Sequence, residues 1–152
     1  MLTPEILTID QPQEMTEVRD LILEYAKATD LDLSFQGFPE EIADLRGFYL
    51  ALFLARWSGE AAGCVALRRI DDETSEMKRL YVRPAFRGKD LGRALAVRVI
   101  DEARSRGFAC MRLDTLPNMA SAIELYRSLG FVEIAPYRYN PVEGTRYMEL
   151  TL

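Results

Sequence analysis

At 152 residues, with 49% hydrophobic and 28% charged side chains, the chain has the size and balance of one folded domain, which excludes a disordered or fibrous polypeptide. A net charge of −5 excludes general attraction to nucleic acid, no apolar run approaches the roughly 20 residues of a membrane span, and no basic-then-apolar leader opens the sequence. The expectation is a single-domain cytoplasmic protein that binds neither nucleic acid nor membrane, and the sequence leaves its oligomeric state, a homodimer included, open. Histidine is absent, so Ser-His-Asp and Cys-His systems and His-ligated metals are excluded. No metal is therefore expected, and acid–base work falls to carboxylate, tyrosine, lysine or water. The two cysteines, Cys64 and Cys110, lie far apart in apolar, strand-like settings and read as buried free thiols.

In chain order, residues 6–9 read as a first strand. Met15, Val18, Ile22 and Tyr25 then recur at helical spacing after Pro12. A less regular stretch over 30–47 carries Phe35 and Phe38 and predicts a short helix after Pro39. Residues 50–57 and 61–70 read as strands joined by the hairpin turn Ser58-Gly59-Glu60. A strand over 75–82 stops before Pro84, and Leu91, Leu95 and Val99 mark one face of a helix that ends at Gly107. Residues 110–114 form the next strand, and a helix from about Met119 ends at Gly130. Both helices close on Gly-Phe, the pattern of a left-handed glycine cap followed by an apolar residue that folds back on the last turn. The tail alternates, with Met148, Leu150 and Leu152 on one face. The order predicts an α/β domain on a mixed sheet of six or seven strands, antiparallel at the start, with a central strand-helix-strand unit.

Between Met77 and Arg93 stand six cations, Lys78, Arg79, Arg83, Arg87, Lys89 and Arg93, against one anion, Asp90. A basic segment opening a helix near Leu91 predicts an anion site, because free amides and the positive dipole end converge there. Glycines at 88 and 92 let a ligand approach the main chain. The run Arg87-Gly88-Lys89-Asp90-Leu91-Gly92 resembles the R/Q-x-x-G-x-G/A signature of the GNAT N-acetyltransferase superfamily. Three further features agree: Asn118, the run Leu125-Tyr126-Arg127-Ser128-Leu129-Gly130-Phe131, which looks like the family's L-Y-x-x-x-G-F, and the alternating final strand. The resemblance covers about two thirds of the chain, from Leu50 onward. It implies that this loop, residues 87 to 93, binds the diphosphate of acetyl-CoA as acyl donor, and that Asn118 and Tyr126 contact the same molecule.

At one position the pattern is broken: Asp90 stands where the family has its central glycine. Its carboxylate either points to solvent, caps the helix, or faces the diphosphate and weakens binding. The last of these keeps open an alternative, a non-catalytic acyl-CoA-binding module. No G-x-x-x-x-G-K-[ST] run is present, so a Walker-type nucleotide site is not expected.

Acetyl transfer to an amine needs a neutral amine, a stabilised carbonyl oxygen and a proton for the leaving thiolate. The resemblance implies that the strand before the loop pairs with the pantetheine arm through Leu80, Tyr81 and Val82, with the Leu80 N–H as oxyanion donor. It implies that Tyr126 protonates the sulfur and that Glu76 takes the amine proton directly or through water, the competing role of Glu76 being an ion pair with a neighbouring Lys or Arg. It also implies an acceptor site, for a small-molecule or peptide amine, near Phe35 and Phe38 and near Arg138 and Tyr139, where Arg138 would receive a carboxylate. A small amine or amino acid is slightly favoured over a protein tail.

Overall fold

A computed structural model describes residues 4–9, 11–29, 37–117 and 119–152. The chain order is β1 (Pro4–Thr8), α1 (Pro12–Thr29), α2 (Phe38–Ala43), α3 (Leu45–Phe48), β2 (Ala51–Trp57), β3 (Glu60–Arg69), β4 (Thr74–Val82), α4 (Leu91–Ser105), β5 (Cys110–Thr115), α5 (Ala120–Ser128), β6 (Val132–Ile134) and β7 (Arg146–Thr151). The seven strands form one sheet in the order β1-β2-β3-β4-β5-β7-β6. All pairs are antiparallel except β4 with β5, so the mixed sheet expected from sequence is the one observed.

Two apolar clusters flank the sheet. On one face α4 contributes Leu91, Leu95, Val99 and Ile100, packed on Phe53, Val65, Met111 and Met148. On the other, Val18, Leu21 and Ile22 of α1 lie on Leu52, Leu54 and Ala66. The alternation of β3 distributes consecutive residues between the two clusters: Val65 and Leu67 face α4, Cys64 and Ala66 face α1. Among the described residues no helix is long and apolar enough to cross a membrane.

Local signals explain the joints. Ser58 and Gly59 both take positive φ, 52° and 81°, and Trp57 pairs with Glu60, the two-residue hairpin that matches the sheet's twist. At the end of α5 the Gly130 N–H donates to the Arg127 carbonyl and the Phe131 N–H to that of Tyr126, with Gly130 at φ 104°, and Gly107-Phe108 repeats the arrangement after α4. Four details differ from the sequence reading. The first strand begins at Pro4, two residues earlier than expected, and α2 begins at Phe38 rather than after Pro39. Helix α3 and strand β6, of four and three residues, are too short to leave a periodic signal. Cys110 is half-buried rather than buried, although both thiols are free.

Two features of β4 shape the centre of the molecule. Its parallel pairing with β5 is confined to Thr74, Ser75 and Glu76, opposite Cys110, Met111 and Arg112, and the strands then part. Just beyond, β4 bulges: Cys64 faces Tyr81 while Ala66 faces Lys78, so Arg79 and Leu80 together oppose Val65, and Arg79 takes φ 58°. A crevice at the carboxyl ends of parted parallel strands is where open α/β sheets bind ligands.

Candidate active site

The segment from Arg83 to Gly92 leaves β4 through a single 3-10 turn, Pro84–Phe86, and enters α4 with Gly88 at φ 82° and Asp90 at φ 63°. A Cβ built on Gly88 would meet nothing within 4 Å, so the loop presents bare main chain to open space. Beside it lies a cleft of about 650 Å³ walled by Leu80, Val82, Arg87, Gly92, Arg93 and Leu125. The Leu91 side chain is buried beneath, in the α4 core, which leaves only its amide for the cleft.

Of the six cations counted from sequence, two line this cleft. Arg87 is braced on the Val82 carbonyl at 3.2 Å and Arg93 on Ser128 Oγ at 3.0 Å. Lys89 instead stacks over the Trp57 ring at 4.9 Å, and Arg83 pairs with Glu24 at 2.8 Å. Lys78 and Arg79 are buried on the sheet's other face, the first carried there by strand alternation and the second by the bulge that interrupts it. The candidate anion site is thus two arginines and a helix terminus, not a field of six charges.

Asp90 makes no side-chain cap to α4; its carboxylate is 78% exposed and lies 3.6 Å from Arg93 Nε. Of the alternatives open in the sequence, the helix cap is not formed: the carboxylate is exposed to solvent at the rim of the cleft that Asp90 helps to line. A non-glycine residue at this φ carries a conformational cost of about 1 kcal/mol. Asp90→Gly should therefore raise thermal stability modestly, and raise CoA affinity by less than about threefold by freeing Arg93 from a screened surface partner. Calorimetry checks this, and a tenfold or larger gain would mean that the carboxylate faces the ligand after all.

Where β4 and β5 part lies a second, narrower cavity of about 60 Å³, bordered from the α1 side by Tyr25 and from the α4 side by Leu80, Ala122 and Tyr126, with Lys78, Asp114 and Asn140 also on its walls. Leu80 and Ala122 belong to both cavities, so cleft and slot meet at the gap in the sheet. The bulge sets the polarity of that junction. The Arg79 carbonyl accepts from Cys64 Sγ on β3 at 3.4 Å, and because C=O and N–H of one trans peptide point oppositely, the Leu80 N–H is turned toward the β5 side. Burial pushes the Cys64 thiol up to about 12, which keeps its proton on sulfur for that contact. Tyr81 and Val82 continue the strand, with the Tyr81 ring turned to the opposite face, edge-on to Tyr25 at 6.1 Å.

Tyr126 stands on α5 with its ring edge-on to Phe131, centroids 5.7 Å apart. That contact is the apolar fold-back predicted by the Gly-Phe cap, so the same five residues that end the helix also fix the tyrosine. Among the described residues its hydroxyl has no hydrogen-bond partner, and burial raises its pKa, which keeps the phenol protonated.

Glu76 is fully buried and does not line the slot. Its Oε2 accepts from the Tyr137 hydroxyl at 2.7 Å, and Arg138 Nη2 reaches Oε1 at 2.9 Å and Oε2 at 2.7 Å. The ion-pair role that competed with the proton acceptor is the one the side chain occupies; Arg138 gives Nη2 to it, while its buried Nε has no hydrogen-bond partner among the described residues. Tyr139 is 76% exposed and Phe38 packs against the Arg79 guanidinium at 5.6 Å. Phe35 and Asn118 lie outside the described residues.

Sequence reasoning did not find the pair Lys78 and Asp114, whose side chains are 3% and 7% exposed with Nζ and Oδ1 3.8 Å apart. Asn140 Nδ2 donates to Asp114 Oδ2 at 3.3 Å. The available signal was alternation: Lys78 shares a face with Glu76, and Asp114 is the one acid in the strand Cys110–Thr115.

A profile of the acetyltransferase (GNAT) family matches residues 15–131. The chain belongs to this family. It is 35% identical over 161 aligned residues to an uncharacterised N-acetyltransferase of Schizosaccharomyces pombe, covering 100% of this chain and 99% of that protein. Among solved structures it superposes with TM-score 0.81 and 25% identity on an acetyltransferase from Streptococcus agalactiae, covering 98% of each chain. A putative acetyltransferase from Salmonella typhimurium, solved with acetyl-CoA, matches with TM-score 0.69 and 25% identity over 97% of this chain and 93% of that one. Family membership makes acyl transfer the activity to be explained.

Proposed function

We propose that this chain transfers the acetyl group of acetyl-CoA to a primary amine by direct attack, with a small amine or amino acid as acceptor. The observation that carries the reading is the meeting of cleft and slot at Leu80 and Ala122, which gives one reactant an approach from each face of the sheet. The diphosphate lies against the amides from Gly88 to Arg93, flanked by Arg87 and Arg93, and the pantetheine arm follows the free edge of β4 through Leu80, Tyr81 and Val82. Lys89 borders the loop from outside the cleft, over Trp57, and Asp90 stands exposed on the cleft's rim. The acetyl oxygen takes the Leu80 N–H, a preorganised donor of the kind that contributes about 3 kcal/mol to a transition state. Tyr126 hydrogen-bonds the departing thiolate: burial keeps the phenol neutral, so it has a proton to share, but the thiol is the stronger acid, so transfer is incomplete in the transition state and is driven by the proton that the attacking nitrogen gives up.

The acceptor enters from the opposite face, past Phe38 and the loop bearing Arg138 and Tyr139. There the Glu76–Arg138 pair, closed by Tyr137, fastens the loop to β4. The charges around this mouth balance, Lys78, Arg79 and Arg138 against Glu41, Glu76 and Asp114, which suits a neutral or zwitterionic acceptor better than a polyanion.

The test is thiol release from acetyl-CoA across a panel of amines, after calorimetry with CoA. The reading expects CoA binding and amine-dependent release with at least one small amine or amino acid. Binding with no release above the amine-free rate on any of them would contradict it.

A further inference from the structure

A general base for this reaction must reach the slot, and Glu76 does not. Both of its oxygens are held by Tyr137 and Arg138, and it has no surface on the cavity. The slot wall itself carries one basic side chain whose neutral form is accessible and one acid: Lys78, from β4, and Asp114, from β5, which approach each other across the gap between the strands. They stand on the acceptor side, in the same cavity wall as Leu80 and Tyr126. A cavity of about 60 Å³ with this many polar walls has room for a water or two, enough to relay a proton.

Building on the function proposed above, we propose that Lys78 Nζ takes the proton from the acceptor's ammonium, with Asp114 and Asn140 stabilising the cation that Lys78 becomes. The step balances. An acceptor arriving as R-NH3+ gives one proton to neutral Lys78, directly or through a slot water. The freed lone pair forms the N–C bond as the carbonyl oxygen takes the Leu80 N–H, and on collapse the C–S bond breaks and the sulfur takes the Tyr126 proton. The second proton lost from nitrogen restores the phenol, and Lys78 returns its proton to solvent.

The surroundings of Lys78 support such a role. Burial pushes its ammonium down to about 8, with Glu76 and Asp114 drawing it back up and Arg79 and Arg138 pressing it down. Among the described residues, the other titratable groups lining the slot are Arg79, paired with Glu41, and two phenols, Tyr25 on α1 and Tyr126 on α5, both held neutral by burial. At pH 7 about one Lys78 in ten is then neutral, whereas a free alkylamine is neutral roughly once in a few thousand molecules. A lysine tuned by burial is a better match to an ammonium than a carboxylate is.

The test compares ethylamine, charged at pH 7, with hydroxylamine, neutral at pH 7, as acceptors for the parent chain and for Lys78→Arg, which keeps the charge but cannot be deprotonated. The expected result is a loss of tenfold or more in kcat/KM with ethylamine and of less than threefold with hydroxylamine. The parent's ethylamine profile levels off near pH 8, while that of the variant climbs on with the amine's own ionisation. Lys78→Met, should the arginine fold poorly, shows the same preference for hydroxylamine. Equal losses with both amines, or a variant profile that levels off where the parent's does, overturns the assignment and leaves the transfer reaction standing. No release by the parent to either amine or to any other amine of the panel, with CoA bound, instead removes the transfer reading and this proposal together.

Discussion

Replacing Tyr126 by phenylalanine is expected to lower kcat about 100-fold while CoA affinity stays within about threefold. The substitution is unusually clean in this setting. The ring keeps its edge-on contact with Phe131, and because the hydroxyl has no hydrogen-bond partner among the described residues, its removal breaks no internal bond and leaves no orphaned acceptor. Stability should therefore stay within about 0.5 kcal/mol of the parent. A fall in kcat accompanied by an equal fall in CoA affinity would reassign the tyrosine to donor binding, and an unchanged kcat would remove it from the chemistry. Thiol release at saturating acetyl-CoA, alongside a denaturant melt, separates these outcomes.

The second large effect concerns the bulge. Arg79 is 6% exposed, Glu41 is fully buried, and they share a two-pronged pair, Nε to Oε2 at 3.0 Å and Nη2 to Oε1 at 2.7 Å, roofed by the rings of Tyr25 and Phe38. Glu41→Leu strands a guanidinium in the core and is expected to cost about 3–5 kcal/mol, a large part of a typical domain's stability. The backbone gives this pair a second consequence. Arg79 holds φ 58°, which costs a non-glycine residue about 1–2 kcal/mol, and the clamp from α2 keeps it there. Two double variants separate charge from conformation. Glu41→Leu with Arg79→Met removes the charge but leaves a side chain that disfavours the bulge, whereas Glu41→Leu with Arg79→Gly removes the charge and tolerates it. Both should regain stability over the single variant, and the glycine variant should keep the higher kcat. Equal kcat in the two would mean that the bulge does not depend on the clamp.

Sequence chemistry that is local was legible, and pairings across the chain were not. The caps at Gly107 and Gly130, the hairpin at Ser58 and Gly59 and the glycine-bearing loop at 87–92 each depend on residues a few positions apart, and each forms as read. Glu76 meets Arg138 across 62 positions and Arg79 meets Glu41 across 38, distances over which composition and period carry no pairing information. The overcount of cations at the anion site has a simpler origin. Lys78 and Arg79 are near Arg87 in sequence, but a strand sends alternate side chains to opposite faces, and the bulge at Arg79 shifts that alternation. Counting charge along a strand without assigning faces joins two sites into one: the arginines that border the cleft and the buried ions that border the slot.

The central claim is that the donor crosses the sheet at the gap between β4 and β5, and a crystal structure with CoA tests it most directly. The account predicts the diphosphate within hydrogen-bonding distance of amides between Gly88 and Arg93, and the sulfur beside the Tyr126 hydroxyl, with the slot at Lys78 and Asp114 open beyond it. A diphosphate bound elsewhere, or a sulfur lodged away from the gap with Tyr126 untouched, would contradict it.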